Sequence, residues 1–296
     1  MPITPRLSRR DALKCAALSA LALPLAGVLP RTLAGEPVPS APATPKRGRT
    51  RGLTLGVASI SLKDLTPAAA AGVLQQLEIP CVSIFRTHAP FEKGTPDECR
   101  AAADAFRAAG VKPVTTSVVN LVNDEAATRR AFDNVRAAGL STMTCRPEPA
   151  ALPLLERFVK DYDIRLAIHN HGPEDKLYPS PFEAMRLIDK LDARIGVCVD
   201  VGHTMRAHVD AADAIRRCAP RLYDVHLKDT LALPGTLSDM PIEVGRGQMD
   251  IASILRALIE INYTGAVAFE YERAKVNPTI GLAESVGYVR GMLAAM

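Results

Sequence analysis

Five of the six histidines, His88, His169, His171, His203 and His226, stand at or just after the end of an apolar, β-branched run; His208 is the exception. Carboxylates take two comparable places. Asp200 follows the run IGVCV at 195–199, and Glu270 follows AVAF at 266–269. His169 closes the run at 165–168, and His226 lies inside the run at 222–227. Brought together, His169, Asp200, His226 and Glu270 form a mixed imidazole and carboxylate set without a thiolate. Such a set suits one divalent cation in an open site that keeps water or substrate bound. Mn2+ is the first expectation, with Mg2+, Co2+ or Zn2+ as alternatives. Each residue also has a plainer role: Asp200 as the cap of a short polar turn that follows it, His226 as a satisfied core histidine, Glu270 as a partner of Arg246. Five imidazoles gathered at run ends favour the site.

For these side chains to meet, the runs that carry them must be neighbours. Strand-like runs lie at 53–60, 81–85, 113–119, 141–145, 165–168, 195–199, 222–227 and 266–269. Helical spacing follows each of them, at 67–77, 96–109, 125–138, 151–161, 181–191, 211–218, 251–261 and 282–293. Eight strand–helix pairs have the size and order of a (β/α)8 TIM barrel, whose strand ends share one mouth. A doubly wound open sheet is disfavoured, because no Gly-rich phosphate turn follows the first run.

Hydrophobic residues make up 48% of the 296, with no Trp, seven Phe and six Tyr, so the core is aliphatic. A chain this poor in rings does not stack bases. The net charge of +4 is misleading. Residues 1–51 hold nine Lys/Arg against two acids, +7, which leaves the remainder at −3. A slightly acidic body argues against nucleic acid as a partner. Cys15 is near the start; Cys81, Cys99, Cys145, Cys198 and Cys218 are spread through the body without a CxxC pair. They read as buried thiols.

The first 35 residues carry Arg9–Arg10 ahead of an uncharged Ala/Leu-rich run that is too short for a bilayer span and is broken by Pro24. This stretch resembles a twin-arginine signal, with Ala12 where that pattern prefers Phe. Export to the periplasm is expected, with no stable membrane span after processing. Residues 36–51, rich in Pro, Ala and basic side chains, read as a flexible linker. One domain, at 52–296, remains.

Four stretches in this order and spacing carry a family resemblance: Asp200–Val201–Gly202–His203, His226–Leu227–Lys228–Asp229, Gly245–Arg246–Gly247–Gln248–Met249–Asp250 and Phe269–Glu270–Tyr271–Glu272. From about residue 53 onward the chain resembles the sugar phosphate isomerase/epimerase family, the xylose-isomerase-like TIM barrels. The resemblance implies a divalent metal at the barrel mouth, with Asp200, His226 and Glu270 at the family's ligand positions. It also implies a sugar or keto-sugar substrate and isomerase or epimerase chemistry. One departure stands out. Where family epimerases carry a glutamate on strand five, this chain has His169 in LAIHNHGPED, with Glu174 a few residues on as an alternative ligand or base. The His-Asn-His form resembles branches that act on inosose-like ketones or 3-keto-sugars by elimination or hydration, which need one base beside a carbonyl. Glu270, His171 or Glu174 is the candidate base. Lys228, Arg246 or His203 is the candidate partner for developing negative charge. His88, Arg86 and Glu272 are candidate substrate contacts. A nuclease of the same barrel superfamily would need more ligands than this chain offers, and a binding-only barrel is the other competitor. Homo-oligomerisation is left open.

Overall fold

The computed structural model describes residues 50–232, 239–273 and 276–296. The expected signal segment, and all but the last two residues of the expected linker, lie outside them. Among the described residues no helix is long and apolar enough to cross a membrane.

The strands are β1 (Thr54–Ala58), β2 (Cys81–Ile84), β3 (Lys112–Thr116), β4 (Val119–Leu121), β5 (Thr142–Pro147), β6 (Arg165–His169), β7 (Ile195–Asp200), β8 (Leu222–Leu227), β9 (Asp229–Ala232), β10 (Asp239–Ile242) and β11 (Ala266–Phe269). Nine of them form one sheet in the order β3-β2-β1-β11-β8-β7-β6-β5-β4, and every paired neighbour is parallel. β3 and β4 are two halves of one stave, parted at Ser117 and Val118. β2 pairs with the first half and β5 with the second. Counted so, eight staves make a nearly closed barrel, as the alternation predicts. Where the ladder between β3 and β5 is missing, hydroxyls bridge it. Thr115 Oγ1 lies 3.0 Å from Thr144 Oγ1, and Thr116 Oγ1 donates to the Thr144 carbonyl at 3.1 Å.

Helices α1 (Pro67–Gln76), α2 (Pro96–Ala108), α3 (Glu125–Ala137), α4 (Leu152–Tyr162), α5 (Pro181–Ile188), α6 (Val201–Arg206), α7 (Ala211–Cys218), α8 (Ile251–Glu260) and α9 (Pro278–Ala295) connect the staves. Their starts are written locally. Thr66, Thr95, Ser180 and Asn277 each cap a helix with a side-chain oxygen and are followed by Pro at the first helical position. Thr95 with Glu98, and Ser180 with Glu183, complete capping boxes. The core is aliphatic, with one aromatic knot where Phe132, Phe158 and Tyr162 meet between α3 and α4. The five cysteines of the body are buried and unpaired.

Three local features depart from expectation. A 3-10 turn at Ser59–Leu62 replaces the end of the first strand run. α6 takes the place of a plain turn after Asp200. An antiparallel hairpin, β9 with β10, leaves the barrel after β8. Its strands are four residues long and pair only with each other, so they carry little of the alternation that marks a barrel strand.

Candidate active site

β6 and β7 end on His169 and Asp200, and Glu270 is the first residue past β11. His226 is the penultimate residue of β8 and stands in register with Asp200 on β7 and with Ala268 on β11. Adjacent parallel staves therefore deliver the four side chains to one place. One ligand atom from each lies within 4.8 Å of all the others. His169 Nε2 is 3.1 Å from His226 Nδ1 and 3.4 Å from Asp200 Oδ2. His226 Nδ1 is 2.6 Å from Glu270 Oε2 and 3.9 Å from Asp200 Oδ2. All four are buried.

Asp200 does two jobs. Its Oδ1 accepts from the His203 amide at 2.9 Å and caps α6, while Oδ2 faces the cluster. The capping role and the cluster role thus coexist in one side chain. Asn170 braces this corner: its side-chain oxygen accepts from the Asp200 amide at 3.0 Å, and its amide donates to Thr204 at 3.1 Å.

Lys228 completes the charge pattern. Its ammonium lies 2.9 Å from Asp200 Oδ2, 2.7 Å from Glu270 Oε1 and 3.8 Å from Glu272 Oε1. Burial works against both carboxylates ionising, yet the lysine outweighs it and holds Asp200 and Glu270 well below the usual carboxylate range. Burial likewise opposes charge on Lys228, and the same carboxylates reverse it, so the lysine stays protonated. Glu272, one-third exposed at the rim, is pushed up to about 7 by burial and then by Glu270.

A divalent cation fits these residues. Two carboxylates and two imidazoles turn electron-rich atoms toward one point from four staves. Asp200 Oδ2 has no hydrogen-bond partner of good geometry despite complete burial. The donors are all oxygen or nitrogen, as Mn2+, Co2+, Zn2+ or Mg2+ would accept. Cys198 lies close behind His169 and His226, but burial drives its thiol up to about 12, so it offers no thiolate.

His171 and His203 flank the cluster. Their ring centroids stand 4.4 Å and 5.9 Å from that of His169. Burial pushes His171 down to about 3 and His203 down to about 4, so both are neutral at physiological pH. Other candidates sit elsewhere. Glu174 is exposed and paired with Arg206, and it is not among the four clustered ligands. Arg246 is exposed and bound to Glu284, not to Glu270. His88 is buried between Ser59, 2.8 Å from Nδ1, and the Leu65 carbonyl, 3.1 Å from Nε2. That is the environment of a histidine fastening the β1 and β2 loops together. Arg86 lies exposed over the Phe85 ring.

Sequence reasoning assigned no role to three buried polar residues here: Asn170 and Asp229, which stand within the HNH and HLKD stretches, and Asp224. Asp229 accepts from the amides of Gly245, Gly247 and Met249 at 2.9, 3.0 and 3.1 Å, and so gathers the Gly245–Asp250 loop beside the mouth. The loop's glycines leave room for this. A Cβ on Gly247 would lie 2.0 Å from Asp229 Oδ1, and Gly245 holds φ +98° against the Tyr288 ring. The GRGQMD motif was the available signal for Asp229. Asp224 had none beyond its place two residues before His226.

Residues 151–292 match the family described as xylose isomerase-like TIM barrel, which bears out the resemblance carried by the motifs. No curated protein matches the chain. Similar solved structures include a D-psicose 3-epimerase, crystallised in the presence of D-fructose, at 17% identity and TM-score 0.62, over 82% of this chain and 98% of that one. A probable 3-DHS dehydratase from Bacillus anthracis is similar at 8% identity and TM-score 0.64, over 80% and 98% of the two chains. The IolI protein, with a zinc atom bound, is similar at 14% identity and TM-score 0.61, over 83% and 96%. At these identities the likeness is one of fold.

Proposed function

We propose that the chain is a divalent-metal-dependent enzyme of the isomerase and epimerase kind. It takes a proton from the carbon beside a carbonyl of a sugar or keto-sugar. The observation that carries this reading is the meeting of Asp200, His226, Glu270 and His169 within 4.8 Å at the carboxyl mouth of the barrel. His169, Asp200, His226 and Glu270 would hold the cation. When bound, it supplies Lewis-acid polarisation of the substrate carbonyl. The protein's own groups do the rest. Glu270, kept ionised by Lys228, offers a carboxylate that can accept the substrate proton. Lys228 presents a buried positive charge where negative charge grows on oxygen. His171, neutral and beside His169, offers an uncharged imidazole that can hydrogen-bond the substrate. The named epimerase and the zinc-bearing structure of this fold support the reading.

One observation favours a second reading. A two-sided epimerisation wants a second carboxylate on the β6 side. That position holds His169, and Glu174 is bound to Arg206 instead. A single carboxylate base suits loss or addition of water at a carbon next to a ketone, the chemistry of a carbon–oxygen lyase. The dehydratase of the same fold supports it.

The test is NMR in deuterium oxide on the purified, Mn2+-loaded protein with a panel of aldoses, ketoses and 3-keto-sugars. Deuterium uptake beside the carbonyl is expected. Epimer or isomer formation supports the first reading and loss of water the second. Glu270→Gln should slow exchange by about 10²–10⁴-fold. A metal-loaded wild type that exchanges none of the panel, or a Gln variant as fast as wild type, would rule out the assignment.

A further inference from the structure

We propose that Asp224 is a positioning residue. From inside the barrel it fixes the ring of His226 with the proton on Nε2, so that Nδ1 faces the cation as a free lone pair. The inference rests on reading the four-residue cluster as a cation site. Asp224 and His226 are two apart on β8, so both point into the barrel, Asp224 one layer beneath the cluster. Both are about 1% exposed. Asp224 Oδ2 faces His226 Nε2 at 3.4 Å, on the side of the ring away from the cluster. That nitrogen has no hydrogen-bond partner of good geometry among the described residues, and Asp224 Oδ2 is the acceptor that faces it.

The donors around Asp224 fix the direction of every bond. Its Oδ1 accepts from the Val225 amide at 3.0 Å, and Oδ2 accepts from Thr144 Oγ1 at 2.7 Å. Both carboxyl oxygens of Asp224 thus serve as acceptors. The Thr144 proton is therefore committed to Asp224. By the same rule, the nitrogen of His226 that faces this carboxylate is the one bearing hydrogen. Only Nδ1 is then left to ligate. A carboxylate buried in a barrel lumen is costly unless its surroundings answer it, and a cation acting through the imidazole is such an answer.

A cleft of about 620 Å³ opens at the amino-terminal face of the barrel and is lined by Asp224, Thr115 and Cys81 among others. Shortening Asp224 would open this cleft toward His226 from the side opposite the active site, and this supplies the test. Zn2+ is the probe, titrated against a chromophoric chelator. In the zinc-loaded, 15N-histidine-labelled wild type, His226 should show Nδ1 bound to metal and hydrogen on Nε2. Asp224→Asn should weaken Zn2+ binding by about 10–100-fold. Thr144→Val, which removes the hydroxyl supporting the same oxygen, should act in the same direction by less. Asp224→Ala should weaken binding as well, and formate should restore part of it. The proposal is overturned if a folded Asp224→Asn variant keeps its Zn2+ affinity within about twofold, a change far smaller than loss of a ligand's supporting group produces. It is overturned equally if zinc sits on Nε2. A wild type that takes up no Zn2+ would instead sink the cation site itself, and this inference with it.

Discussion

Replacing Lys228 by Met is expected to expose how the site balances its charge. Met keeps most of the stem, which runs over Gly202 where a Cβ would come within 2.6 Å of Lys228 Cγ. What is lost is the ammonium between Asp200 and Glu270, at 2.9 and 2.7 Å. Removing one partner of a buried ion pair costs about 3–5 kcal/mol, because a charge is left without an answer. For a domain of this size about 1 kcal/mol moves the thermal midpoint by ~2–4 °C, so in chelator the variant should melt on the order of 10 °C lower. A divalent cation can answer the same carboxylates. At about 100 times its Kd a ligand stabilises the native state by ~2.7 kcal/mol. The variant should bind Mn2+ more tightly than wild type, since no ammonium competes for Asp200 and Glu270. Added Mn2+ should therefore close much of the gap. Calorimetric melting of both proteins, in chelator and in Mn2+, gives the four midpoints needed. Equal gaps in the two conditions, or a loss below about 1 kcal/mol in chelator, would show that Lys228 and the cation do not share these carboxylates.

Asp175, 5% exposed, takes two bonds from Arg146 at 2.6 and 2.8 Å; burial raises its carboxyl, but Arg146 and the Leu177 and Tyr178 amides bring it down to about 2. Its folded value is depressed, so its stability is present above the unfolded value of 3.8 and is lost as pH falls through about 2. Asp175→Asn should thus cost about 2 kcal/mol at neutral pH in urea titrations, shrinking toward nothing in strong acid, whereas a pH-independent cost would contradict the assignment. Gly247→Ala should cost about 2 kcal/mol or more, since its Cβ would lie 2.0 Å from Asp229 Oδ1, and should speed amide exchange across 245–249. An unchanged melting point and exchange pattern would show that Asp229 does not gather that loop.

The cluster was legible because strands fix direction. A side chain at the end of a parallel barrel strand has few places to point, so His169, Asp200, His226 and Glu270 could be placed together from their runs alone. Loop residues carry no such constraint. Glu174 lies two residues beyond the positive-φ turn at Gly172, which sets it beside Arg206 on the rim. Arg246 and Glu284 are 38 apart in sequence and meet only because the 245–250 loop folds against α9. Ion pairs of this sort depend on tertiary placement that no local pattern records. The hairpin of β9 and β10 was missed for a related reason. It is not a stave, and Pro241 within it reads as a break rather than a strand.

The break in the third stave and the chemistry at the mouth are linked through one side chain. Between β3 and β5 the ladder gives way to hydroxyl contacts, and Thr144 takes part in both of them. The same hydroxyl donates to Asp224, which faces His226. Apolar residues in the lumen would leave the Thr115 and Thr144 hydroxyls without each other and Asp224 without its donor. A polar lumen on this side of the barrel is thus explained twice, once by closure and once by the site. This also accounts for why Asp224 was invisible beforehand. A lone acid inside a strand run reads as an interruption of the pattern, and only the register of β8 against β7, with Thr144 across the lumen, turns it into the floor of the site.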